Sequence, residues 1–278
     1  MDFLAAANAA AEQLDWMDFA WIAFSVAVFT YLVRRLLRPA GDAVDVSHYG
    51  RVETGLAIAL TCWFIMQGTA QFLLAPSTEK IQLTLRDLLV YELMIVVFTT
   101  VVVATIKSKG GNLGLLFGLG RQPLWKAFAI GCVLIFAAVP IVAAGMQLTQ
   151  LFAKGPDDLQ EIVKFFQAAG RERERVAVVV SAVIIAPISE ELFFRGVIYG
   201  VTKKYGGLLA AIIFNASLFA FIHGSLPAFG GLFALAVCLT LAYEVSGSLY
   251  VPIVMHACFN AAQLAQMFFD PSTPKPHS

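Results

Sequence analysis

Residues 176–201 read VAVVVSAVIIAPISEELFFRGVIYGV. The stretch is almost wholly apolar and longer than the about 20 residues a helix needs to cross a bilayer core about 30 Å thick. Three ionisable residues interrupt it: Glu190, Glu191 and Arg195. A charge at bilayer depth costs roughly 2.5–3.5 kcal/mol on insertion scales, so three unpaired charges together cost about 8–10 kcal/mol. Residues kept at such a cost face the interior of a helix bundle and mark function. This stretch therefore predicts a membrane helix with a chemical task.

The rest of the chain supports the same class. Of its 278 residues, 59% are apolar and 14% charged; a soluble domain has about 45–50% and about 25%. A soluble enzyme of this size would lack the polar surface to cover itself. The 19 basic and 19 acidic residues cancel, and no basic stripe follows a phosphate backbone, which excludes a nucleic-acid binder. Eight apolar runs are long enough, or nearly so, to span: 19–37, 54–75, 88–106, 127–151, 176–201, 208–222, 229–245 and 250–269. The sixth and seventh are short and could dip part-way. None shows the alternation of a transmembrane barrel, and helices are then the spanning structure that satisfies its own backbone. The expected fold is an all-α, polytopic integral membrane bundle of about eight transmembrane helices. It forms one domain over 1–278 in a cell membrane, with the lipid bilayer as a partner.

Between the runs, 38–42 (RPAGD) breaks the first helix. Residues 107–121, with five glycines, are expected at a membrane surface. Residues 154–175 are the most charged segment, and RERER there reads as a helix start or a solvated face. The tail 271–278 reads as disordered. The N-terminus has acidic residues and no basic region before its apolar part, unlike a cleavable secretory signal. Cys62, Cys132, Cys238 and Cys258 sit in apolar runs as small apolar side chains and imply no disulfide framework. Basic residues in the short loops favour the Arg34–Arg35 side as the inner one.

Spacing divides the charged residues by role. Glu191 and Arg195 are four apart, on one helix face, and can pair. Glu190 lies about 100° around the helix and points into a cavity, where a carboxylate suits a general base. His223 closes the run LFAFIH, with Phe219 one turn earlier. His256 and Asn260 in VPIVMHACFNAAQ share one face of the last helix. A base, a water-holding imidazole and donors for a developing oxyanion fit hydrolysis of an amide by an activated water. His48 and His277 read as solvated, and Glu244 as an interfacial charge.

SEELFFRG, FAFIH and SGSLYVPIVMHACFN resemble the three motifs EExxxR, FxxxH and HxxxN of the CPBP family, the CAAX-protease and bacteriocin-processing (Abi-type) intramembrane endopeptidases. Glu190, Glu191 and Arg195 match the first motif, Phe219 and His223 the second, and His256 and Asn260 the third. The resemblance covers about a third of the chain and sets a catalytic core at 176–269. It implies an endopeptidase acting within the membrane on a membrane protein or peptide. Glu190 and His223 would activate the water, His256 and Asn260 would stabilise the oxyanion, and Glu191 and Arg195 would hold the site in shape.

Whether a metal takes part is open on sequence. Glu190, His223 and His256 could ligate Zn²⁺ and leave a fourth position open, and the family is often labelled metalloprotease. Asn is a poor zinc ligand and a good oxyanion donor, and the HExxH helix is absent, which favours a metal-independent mechanism with no cofactor. Two other classes stand beside the protease: a transporter using the same residues as a proton relay, and a non-catalytic relative binding a partner in the same groove. One expectation does not close. Measured from the inner ends of their runs at 1.5 Å per residue, Glu190 lies about 15 Å deep, His256 about 10 Å and His223 about 24 Å.

Overall fold

The computed structural model describes residues 15–37, 44–74, 84–152 and 172–269. The breaks expected at 38–42, most of 154–175, the tail 271–278 and His277 lie outside the described residues.

Reciprocal caps fix the starts of two helices. The Asp15 carboxylate accepts the N–H groups of Met17 and Asp18, and Asp18 accepts the N–H of Asp15, opening α1 (Trp16–Leu36). Thr84 and Asp87 repeat the device at α3 (Leu85–Ser108). Each cap satisfies N–H groups that the first helical turn leaves unpaired. The other helices are α2 (Arg51–Leu74), α4 (Leu113–Phe117), α5 (Leu124–Gln150), α6 (Glu172–Phe221), α7 (Phe229–Ser246) and α8 (Tyr250–Phe269). Among the described residues there is no strand.

By length and composition, α1, α3, α5, α6 and α7 can each cross a membrane. The protein is a multi-pass membrane protein folded as an all-helical bundle. Among the described residues, the eight apolar runs coincide with these helices to within about a residue at their ends, the fifth and sixth together forming α6. Large apolar side chains point outward along α1 and α3, among them Phe19, Val26, Leu93, Met94 and Val97, as expected where the solvent is lipid.

The interior is built on α6. This helix widens into π-turns over Ser181–Ile185 and Leu192–Tyr199 and reverses at Gly207, whose φ of 78° and ψ of 174° are open to glycine without strain. The two arms then lie side by side. Phe194 packs edge-on against Phe219, and Asn215 Nδ2 donates to Phe194 O at 2.7 Å. The first arm runs on to Gly206 instead of ending near Val201, carrying Lys203 inward. Lys203 Nζ donates to Glu244 Oε1 and to Val44 O, and Tyr199 OH donates to Glu244 Oε2. Glu244 is thus fully buried and paired, not the interfacial charge that its position at a helix end suggested. A buried carboxylate needs such a partner.

The glycine-rich segment 107–121 also departs from expectation. Its middle folds as α4 and enters the bundle, with Leu116 and Phe117 buried. Tyr49 OH and Tyr243 OH both donate to Leu116 O, Tyr49 OH donates to Gly196 O, and Leu249 N–H donates to Phe117 O. Gly118, at φ 64°, passes so close to Gly247 O that a Cβ would sit 1.7 Å from it. Through α4, the turn between α7 and α8 is held deep in the bundle, level with Gly196.

Candidate active site

The reversal at Gly207 resolves the mismatch in depth. Glu190 stands 17 residues before Gly207 and His223 16 after it, so each lies about 24–26 Å from the turn. His256 reaches the same level because α8 starts inside the bundle, and six residues of helix cover the remaining ~9 Å.

Glu191 and Arg195 pair as their spacing predicts. Both side chains are 0% exposed, with Arg195 Nη1 2.9 Å from Glu191 Oε1, and Arg195 Nη2 donates to Ala236 O at 3.0 Å. The same Glu191 oxygen lies 2.9 Å from His256 Nδ1. A carboxylate only accepts when ionised, so this contact puts a proton on Nδ1 and turns Nε2 away from Glu191. Nε2 lies 3.9 Å from Glu190 Oε2. Among the described residues that oxygen is buried with no hydrogen-bond partner, although the Glu190 side chain as a whole is 26% exposed.

Phe219 is the packing centre. The Arg195 guanidinium lies 5.0 Å from its ring centroid, the His223 ring 4.7 Å away and the His256 ring 5.7 Å away, edge to face. These cation–π and ring contacts hold three site groups against one rigid, fully buried surface. His223 Nδ1 is 2.6 Å from Phe219 O. A carbonyl cannot donate, so Nδ1 carries the proton and Nε2 is left as an acceptor. His223 is within electrostatic range of both Glu190 and His256.

Asn260 takes a place its motif did not reveal. Its Nδ2 donates to Ala182 O at 2.8 Å, in the first π-turn of α6. The reason is local. Ala186 N–H bonds back five residues to Ser181 O, so the next donor in that series would be residue 187. That residue is Pro187, which has no N–H. Asn260 supplies the missing donor and keeps one further Nδ2 hydrogen.

Two site neighbours were not singled out from sequence. Glu92 of α3 is buried and accepts the Ser181 hydroxyl, and Thr99 Oγ1 donates to Ser189 Oγ at 3.1 Å, beside Glu190. The signal for Glu92 was present: an ionisable residue inside the apolar run 88–106. His48 is half exposed and near Asp45, as read. Among the described residues, no three His, Cys, Asp or Glu side chains form a group that could hold a metal ion.

No curated protein and no solved structure matches the chain. Residues 172–262 match the family model described as type II CAAX prenyl endopeptidase Rce1-like. The matched stretch, about a third of the chain, holds Glu190, Glu191, Arg195, Phe219, His223, His256 and Asn260, and over it the chain is similar to the CPBP family of intramembrane proteases.

Proposed function

We propose that the protein is an intramembrane endopeptidase that hydrolyses a peptide bond of a membrane-associated protein or peptide. The observation that carries this reading is the placing of His256, held by Glu191 at Nδ1 and turned toward Glu190 at Nε2. In a bundle that only packs, two adjacent carboxylates and an imidazole would pair off completely. Here Glu190 Oε2 is left buried without a hydrogen bond among the described residues, 3.9 Å from His256 Nε2.

The steps follow from the donors and acceptors. A water between Glu190 and His223 gives a proton to the Glu190 carboxylate, while His223 Nε2 accepts its second hydrogen and aims its lone pair. The water oxygen attacks the peptide carbonyl carbon, and the carbonyl oxygen takes up the negative charge. A protonated His256 Nε2 and the second Nδ2 hydrogen of Asn260 stabilise that oxyanion. Glu190 then gives its proton to the leaving nitrogen, the C–N bond breaks, and a carboxylic acid and an amine result. Glu191, Arg195 and Phe219 do not touch the reacting atoms; they hold His256 and His223 in orientation.

The family description names CAAX prenyl endopeptidases, so a prenylated peptide ending in a CAAX-type sequence is the first substrate to offer. The deciding experiment incubates the purified protein in detergent with a prenylated and an unmodified peptide library and reads products by mass spectrometry. Discrete cleavage that is lost in Glu190→Ala supports the reading. No product from any member, or undiminished product with Glu190→Ala, overturns it.

A further inference from the structure

The hydrolytic scheme leaves one buried carboxylate without a task. Glu92 lies in α3, outside the family-matched stretch, and is 8% exposed. One of its oxygens accepts the Ser181 hydroxyl, and the other, Oε2, is buried with no hydrogen-bond partner. A glutamine would hold Ser181 equally well without bringing a charge to membrane depth. The second oxygen asks for a partner that the described residues do not supply.

Its place relative to the proposed chemistry can be read from the helices. Glu92 meets Ser181, and seven residues later Thr99 meets Ser189, so α3 runs beside the first arm of α6 in the same direction. Seven residues of helix are about 10 Å. Glu92 is therefore about 10 Å along α3 from the Ser189–Glu190 level and within electrostatic range of Glu190. Asn260, at Ala182, lies between the two levels. An extended peptide advances about 3.3 Å per residue, so a chain with its scissile bond at Glu190 presents a side chain about three residues away to Glu92.

We infer that Glu92 is a specificity residue: it receives the ammonium or guanidinium group of a Lys or Arg side chain about three residues from the scissile bond. The inference rests on the endopeptidase reading for the position of that bond, but recognition of the cation can be measured without turnover. A cation suits the site better than a peptide N–H, because a charge-assisted bond to a desolvated carboxylate is about twice as strong as a neutral one. Ser181 holds one Glu92 oxygen and leaves the second without a hydrogen bond among the described residues.

The test uses the full chain in detergent, with Glu190→Gln to silence cleavage. The probe is a prenylated ten-residue peptide with one Lys stepped through successive positions, each compared with norleucine, which keeps the stem and lacks the charge. At one position Lys is expected to bind about tenfold tighter than norleucine, the lower end for a hydrogen bond to a charged group. Glu190→Gln/Glu92→Gln is expected to lose that gain while binding the norleucine peptide unchanged. Glu92→Asp, which keeps the charge but withdraws it, is expected to show a reduced gain and serves if the Gln variant does not elute as one species. No Lys gain at any position, or a gain that persists without Glu92, overturns the inference. Cleavage by the wild type without a Lys gain defeats only this inference. A Glu92-dependent Lys gain without cleavage by the wild type defeats the endopeptidase reading and leaves the cation site standing.

Discussion

Glu191 and His256, 65 residues apart in the chain, meet through a 2.9 Å contact between Oε1 and Nδ1, and that same oxygen also accepts Arg195 Nη1. One buried atom thus ties the first arm of α6 to α8 and sets which edge of the imidazole faces Glu190.

Arg195→Ala should cut folded yield as well as activity. It leaves Glu191 buried without its cation, and breaking a buried pair on one side costs about 3–5 kcal/mol. The measurement is the monodisperse fraction after purification, alongside cleavage. Normal yield with full activity would refute the pairing.

Glu190→Gln should abolish cleavage and leave the fold intact. The side chain makes no hydrogen bond through Oε2, so Gln removes the proton acceptor and little else. Asn260→Ala should retain more activity, since losing one oxyanion donor costs about 10²–10³ in turnover elsewhere. It should also lower the thermal midpoint, because Ala182 O loses its donor, at about 1–3 kcal/mol. Retained activity in Glu190→Gln with none in Asn260→Ala would reassign the base.

Pro187→Ala separates the two roles of Asn260. The new N–H at residue 187 competes for Ala182 O and loosens the amide from its brace. The thermal midpoint should hold or rise, and turnover should fall, but by less than in Asn260→Ala. Unchanged turnover would show that the brace does not position the amide.

Cys132 of α5 and Cys258 of α8 bring their sulfurs to 4.0 Å. Copper–phenanthroline and oxygen, which take two electrons from the thiol pair and release two protons, should close a Cys132–Cys258 disulfide in the purified protein. Mass spectrometry of the linked peptides reads the bond, and Cys132→Ser should abolish it. Linkage of Cys258 to Cys62 or Cys238 instead would mean that α8 packs differently.

Purified protein should cleave without stoichiometric zinc, since Asn is a poor zinc ligand and a good oxyanion donor, and the HExxH zinc helix is absent. Elemental analysis checks this. One zinc per chain, lost with activity and restored with it, would reverse the expectation.

Much of this architecture was legible in the sequence because both signals are local. Runs of about 20 apolar residues define helices by length alone, and the four-residue spacings of Glu191–Arg195 and His256–Asn260 define shared faces. What escaped depends on contacts between distant residues. The fifth apolar run was bounded at 201, and only the pairing of Lys203 with Glu244, 41 residues on, shows why the helix continues beyond it. Five glycines in 107–121 read as a surface loop, while Leu116 and Phe117 needed Tyr49, Tyr243 and Leu249 to draw them inside. Glu92 was visible as a charge in an apolar run, but its partner Ser181 was not.

The hairpin at Gly207 binds two stretches of chain to a common length. Each residue added to or removed from one arm slides its end by about 1.5 Å and turns it by about 100°. A single-residue deletion between Glu190 and Gly207 would therefore carry the first motif out of step with His223, although no site residue had changed. A second deletion between Gly207 and His223 would restore the level while leaving both faces rotated. Only exchanges of whole turns, three or four residues removed from both arms together, preserve depth and direction at once. The chain between the first two motifs thus behaves as a gauge, and its residue count is as much a part of the site as the side chains at its ends.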